Sequence, residues 1–307
     1  MKIFTLQIII GLLFYGSAKS QESPVLYLTP KWSPDGKLIA FCSNRENKLE
    51  VYTISADGKK LSRVTDTSYE SGLPNWSADG KFLVYHKVIK PGLLKLFIRS
   101  LRSGSEKQIT IANSVDYSPS WSSGNSIAFN SRTDPDDLNH HINVLFLNKN
   151  KLVTVTDTKF DYSAPCISYN GRQIVCIRTT AMTKPFKETT ADELKKIRSS
   201  SEIIIMNVDG TGIRNISKDT LINRSPGFSR SGKHIYYLCQ TDSGAVVKMY
   251  IMDSGLTKDV LKPTGIVNSF SISPDEKKIV YSSVRNKNYG IYVWDLKTRS
   301  EKLIIGK

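Results

Sequence analysis

One short pattern recurs six times along the chain and constrains the fold more tightly than any other feature. The first copy reads Pro30-Lys31-Trp32-Ser33-Pro34-Asp35-Gly36-Lys37-Leu38-Ile39-Ala40-Phe41, and its relatives begin at Pro74, Pro119, Pro165, Pro226 and Phe270. The place of Trp32 is taken in turn by Trp76, Trp121, Ile167, Phe228 and Ile272, at separations of 44, 45, 46, 61 and 44 residues. That period is the length of one four-stranded propeller blade. The long step carries an insertion of about fifteen residues. The expectation is an all-β chain: a six-bladed β-propeller of four-stranded antiparallel blades over residues 21–307, with extra chain at about 179–201 in blade four.

Within blade one, strands A to D are expected at Tyr27–Trp32, Lys37–Ser43, Leu49–Ser55 and Leu61–Thr65. The Ser-Pro-Asp-Gly turn joins A to B: proline presets φ, aspartate hydrogen-bonds its own backbone, and glycine accepts the positive φ that closes the hairpin. Asp35, Asp79 and Asp275 recur in such turns, with Asn170 and Ser231 in the matching places. Turn chemistry accounts for them, so they are not read as catalytic acids. Strand C is the most apolar, and Tyr52, Phe97, Leu145, Ile204, Tyr250 and Tyr292 are expected to recur in register between blades.

The fourth strands end in Arg63-Val64-Thr65, Gln108-Ile109-Thr110 and Thr154-Val155-Thr156. With this tail and the Pro-x-Trp-Ser-Pro-Asp-Gly-Lys pattern, the chain resembles the TolB-like β-propeller family from about residue 26 to 305. The resemblance implies the six-bladed fold and a TolB-like role in the periplasm, although such propellers serve many functions. With the first blade starting directly after the expected signal peptide, no counterpart of the α/β domain that precedes the propeller in TolB itself is expected. Some related propellers are oligogalacturonate lyases that hold manganese with several channel histidines. His86, His140, His141 and His234 do not reproduce such a cluster. No metal or cofactor is therefore expected, and no catalytic residue is assigned.

Residues 1–20 read as a signal peptide. Lys2 precedes an apolar run from Ile3 to Phe14, and small residues Gly16, Ser17, Ala18 and Ser20 offer cleavage after Ser20. The run is shorter than the roughly 20 residues that span a bilayer. A periplasmic or secreted chain without a transmembrane span follows. The formal net charge is +15, or +13 without Lys2 and Lys19. That surplus suits acidic proteins or an anionic glycan, while export argues against nucleic acid. Cys42, Cys166, Cys176 and Cys239 contain no metal-binding spacing; Cys166 and Cys176 lie on two arms of one hairpin, with their pairing left open.

In a propeller the variable B–C and D–A connections share one face, and loops on a rigid frame carry function. Here that face would gather Tyr69, the acid–aromatic pairs Asp116-Tyr117 and Asp161-Tyr162, His140 and His141, and Arg224. Asp134 to His141 mixes oxygen and imidazole ligands but fits no calcium-loop spacing. In the insertion, Thr190-Ala191-Asp192-Glu193 is a capping box, so a helix through Arg198 is expected, preceded by Lys184, Phe186 and Lys187. These eleven residues form the candidate partner-binding surface. The reading is a non-enzymatic protein-interaction or scaffolding propeller with a partner in the cell envelope. An anionic glycan binder and an oligogalacturonate lyase-like enzyme are the alternatives.

Overall fold

The computed structural model describes residues 24–306, except 67, 112, 133–137, 185–187, 218 and 220. The segment expected to be a signal peptide, the Asp134–Asp137 run, Phe186 and Lys187 therefore lie outside the described residues. Six four-stranded sheets follow one another along the chain, each built from four consecutive strands. In blade one, strands A to D are Tyr27–Trp32, Leu38–Ser43, Glu50–Ser55 and Leu61–Arg63. All pairings within the blades are antiparallel. Blade six, Ile266–Gly306, supplies all four of its own strands, so among the described residues no strand is shared between blades six and one.

Each sheet has two apolar faces because a neighbouring blade covers each, and the core is divided accordingly. Ala40, Val51 and Val64 of blade one pack on Trp76, Leu83 and Tyr85 of blade two. At the seam, Trp32, Phe41, Tyr52 and Ile54 pack on Val280, Ile291, Val293 and Ile304 of blade six. The expected register of strand C holds in four blades and needs correction in two. Tyr52, Phe97, Ile204 and Tyr292 oppose Phe41, Tyr85, Cys176 and Tyr281. The corresponding places in blades three and five belong to Asn143, opposite Phe129, and Lys248, opposite Tyr237. Leu145 and Tyr250 sit two residues farther along and so keep the same face.

The repeat signature has a hydrogen-bonding cause at each end of the blade. In the A–B turn, Ser33 Oγ donates to Asp35 at 2.7 Å and accepts from Leu38 N at 2.9 Å, while Lys37 N donates to Asp35 at 3.0 Å. The same triad closes at Ser77–Asp79 and Ser273–Asp275. At the tail, Thr65 Oγ1 accepts from Val51 N at 2.9 Å; Thr110, Thr156 and Ser217 do so from Leu96, Ile142 and Ile203. The terminal hydroxyl thus supplies an acceptor where the short strand D has stopped.

Strand A is bulged in every blade, and in five the bulge holds a non-glycine residue at positive φ directly before the repeat proline. These are Thr29, Leu73, Ser118, Ala164 and Ser225, with φ between 50° and 54°. Such backbone is strained for residues with a Cβ. In three blades the strained residue's amide reaches back to the preceding blade. Thr29 N donates to Ser269 Oγ at 3.1 Å, Leu73 N to Cys42 Sγ at 3.2 Å, and Ala164 N to Asn130 Oδ1 at 3.0 Å. The strain is therefore coupled to blade-to-blade stitching along the channel.

All four cysteines are free thiols. Cys166 pairs across its hairpin with Val175, one residue short of Cys176, so the two thiols lie on opposite sheet faces and in different core clusters. Glu50 is buried at the start of strand C; Thr65 Oγ1 donates to its Oε2, and among the described residues its Oε1 has no partner. Burial, with Asp66 adding to it, pushes this carboxyl up to about 7. A free glutamate ionises near 4.3. The folded chain thus holds an extra proton between those values, and stability falls as pH rises through that window. Glu50→Gln is expected to raise stability by roughly 1–3 kcal/mol at pH 8 and to leave it nearly unchanged near pH 4. Urea titrations at both pH values check this, and equal effects at both would refute it.

Candidate functional site

The central channel opens at two ends of different character. Its A–B end, a cavity of about 180 Å³, is ringed by the residues preceding each Trp32-like position. Several of these serve the ring itself: Ser271, Asn75 and Ser120 accept backbone amides from Trp32, Trp121 and Ile167 of the following blade. The D–A end carries the extra chain. After strand B of blade four, Gln173–Thr180, the chain runs out to the helix Ala191–Ser199 (α1) and returns at Glu202.

The sequence specifies how α1 begins. Thr190 accepts from Glu193 N, and the Glu193 carboxylate accepts from Thr190 N at 2.8 Å, which completes the capping box. Lys184 pairs with Glu193 at 2.8 Å, so one expected contact residue is held by the helix start. The Lys184 ammonium, and after it the Thr190 bonds, hold Glu193 down to about 2. None of the α1 residues is buried. The segment is clasped from blade three, where Asn139 Oδ1 accepts from Met182 N at 2.7 Å.

The structure gathers three candidates and buries others. Asp161 Oδ1 accepts from His140 N at 2.7 Å and lies 2.9 Å from its Nδ1. The His140 ring meets Tyr117 edge-on at 5.6 Å. Tyr117, His140 and Asp161 thus form one cluster between blades three and four. Asp116 is 1% exposed; it holds Lys95 Nζ at 3.1 Å and accepts from Ser114 and Ser131. Tyr162 is fully buried, with its hydroxyl on Asp157 at 3.1 Å, and His141 Nδ1 lies 3.3 Å from Asp157 O. Tyr69 remains 43% exposed, with Lys87 Nζ 5.8 Å from its ring centre.

Arg224 lies apart from that cluster, in a cavity of about 330 Å³ at the D–A mouth. The walls come from the first strands of blades one, four, five and six, and from α1 through Arg198. Partial burial, then the neighbouring Arg198 guanidinium, lowers the pKa of Arg224. The sequence reading named Arg224 and ended the helix at Arg198, yet did not join the two. Their juxtaposition depends on how the insertion folds back.

The histidines occupy separate places. Burial drives His86 down to about 3, so it is neutral in the core between blades, and His234 pairs with Glu276 at 2.6 Å near the A–B end. Among the described residues, no group of three or more His, Cys, Asp or Glu is placed to hold a metal ion. Among them too, no helix is long and apolar enough to cross a membrane.

Comparison with known proteins places this geometry in context. The family model described as the TolB beta propeller domain matches residues 15–198. A Bacillus subtilis protein described as an uncharacterized peptidase, YuxL, is 24% identical over 301 residues, covering 82% of this chain and 45% of its own length. The chain spans less than half the length of the curated relatives it matches. A crystal structure of TolB from Acinetobacter baumannii superposes with a TM-score of 0.66 at 17% identity, over 90% of this chain and 62% of that one. An oligogalacturonate lyase in complex with manganese gives 0.61 at 12% identity, over 90% and 76%. At such identities these structures establish a shared fold.

Proposed function

The chain belongs to the TolB beta-propeller family, and from that premise we propose that it is an exported, non-enzymatic propeller that holds a protein partner at the D–A mouth. At the coarse level the family supports a protein-binding propeller of the cell envelope. The observation that carries the finer reading is the placement of the blade-four insertion. A capped helix with no buried residue lies beside the channel, with Met182 held by blade three and Lys184 by the helix start, and among the described residues no other blade carries an α-helix. Its rigid frame would present α1, Tyr69 and the His140–Asp161 pair, backed by the buried Tyr117 ring, in fixed geometry, so little conformational entropy is lost on binding.

Affinity capture from a cell-envelope extract with the mature chain is expected to recover a defined protein. Deleting Thr183–Ser199 is expected to weaken that complex about tenfold or more, with far-UV circular dichroism and thermal midpoint little changed. Retained affinity would remove this segment from the interface. Asp116 and Tyr162 are poor probes of the interface because their side chains are buried and engaged internally.

A second reading, an anionic glycan binder, is favoured by the +15 charge and by the arginines at the mouth. The manganese-bound lyase shares the fold, but no described donor set here matches a metal centre.

A further inference from the structure

We propose that Arg198 and Arg224 form an anion seat that receives a carboxylate of the protein partner, either an acidic side chain or the chain terminus. The inference rests on the reading of the D–A mouth as the partner face and names the chemistry that the mouth recognises. Three observations carry it. Both guanidinium-bearing residues line one cavity of about 330 Å³, and among the described residues no aspartate or glutamate lines it with them. Other arginines at this end of the ring hold carboxylates: Arg63 pairs with Glu46, Arg178 with Glu202 at 2.6 Å, and Arg285 with Glu301 at 2.6 Å. Among the described residues, neither Arg198 nor Arg224 has a hydrogen bond or ion pair through its guanidinium.

Two like charges in a partly dry pocket repel each other, and an incoming carboxylate relieves that repulsion while taking parallel N–H donors from a guanidinium. Thr29, Ser163, Asn223 and Asn268 line the same cavity and supply further short donors and acceptors for a peptide backbone. Among the described residues the lining contains no aromatic ring. A sugar unit would therefore find no flat apolar face to stack on, which favours a peptide acid over a uronate.

The test follows the Nε–Hε signals of the full mature chain by NMR at low salt. One titrant is acetyl-Gly-Asp-Glu-Gly-amide, which carries only side-chain acids; the other is an acetylated tetraglycine with a free terminal carboxylate. A galacturonate trimer is the third arm. Saturable shifts of both arginine signals with either peptide are expected, and the responding peptide identifies the source of the carboxylate. Arg198→Gln or Arg224→Gln should weaken binding about tenfold or more, and Arg224→Lys should restore part of it, because it keeps charge without the paired donors. Midpoint measurements on each variant exclude unfolding. No saturable peptide binding, equal binding by the glutamine variants, or binding of the galacturonate alone would each overturn the seat. Should the captured partner lose affinity on deletion of Thr183–Ser199 yet bind both glutamine variants normally, the seat falls and the face stands. Should the partner ignore the deletion and both glutamine changes while the peptides still bind at the arginines, the face falls, and the seat falls with it as the place where the partner's carboxylate is received.

Discussion

Asp116→Ala is expected to destabilise the folded chain by about 3–5 kcal/mol. The Asp116 carboxylate and Lys95 ammonium are each only 2% exposed in their side chains and lie 3.1 Å apart. Lys95 also donates to Ser114 O and to Ser114 Oγ at 3.1 Å, and Ser131 donates to Asp116 at 2.8 Å. Removing the carboxylate takes a charged acceptor away from a buried ammonium, and the neutral Ser114 oxygens beside it offset only part of its desolvation. Truncating both partners should be less harmful than the sum of the single changes, because the second removes the charge that the first exposed. A double-mutant cycle of Asp116→Ala and Lys95→Met in urea measures that coupling. A loss below about 1 kcal/mol for the single change would place the pair among weak surface bridges instead.

Gly210→Ala is the other large effect, at roughly 3 kcal/mol or more. Gly210 sits in the C–D turn of blade four at φ 85°, and a methyl group there would stand 2.2 Å from Val155 O of blade three. The neighbour is backbone, so it cannot swing aside. Gly232→Ala provides the control: its φ is 73°, but nothing lies within 4 Å of the added carbon. That change should cost about 1 kcal/mol from backbone strain alone. Equal urea midpoints for the two variants would show that blade packing does not determine the glycine at 210.

The six blades were legible because propeller strands are local: each pairs with the next along the chain, so turn signals and apolar runs keep their spacing. The tail hydroxyls of Thr65, Thr110 and Thr156 were visible as a motif, and the structure supplies their role as acceptors for strand C. Register was less legible. Leu145 and Tyr250 satisfy the apolar pattern as well as the true counterparts Asn143 and Lys248 do not, so pattern alone slips by two residues without changing face. Helix α1 was readable from its capping box. The Arg198–Arg224 pair was not. Among 43 lysines and arginines, sequence does not reveal which lack a carboxylate, and the two arginines meet only when the insertion folds over blades four and five.

The join between blades six and one has a thermodynamic consequence. Among the described residues no strand crosses it, and the contacts there are core packing together with bonds such as Thr29 N to Ser269 Oγ and Lys302 Nζ to Asp57 O at 2.8 Å. The ring is a strip rolled into a circle, and its ends can part without breaking a β-ladder. The mouth cavity straddles that join, with Leu28 and Thr29 on one side and Asn268 and Ser269 on the other. A ligand that touches both sides acts as a clasp: it binds the closed circle in preference to the parted strip, and raises the free energy of opening in proportion to the logarithm of its concentration over its dissociation constant.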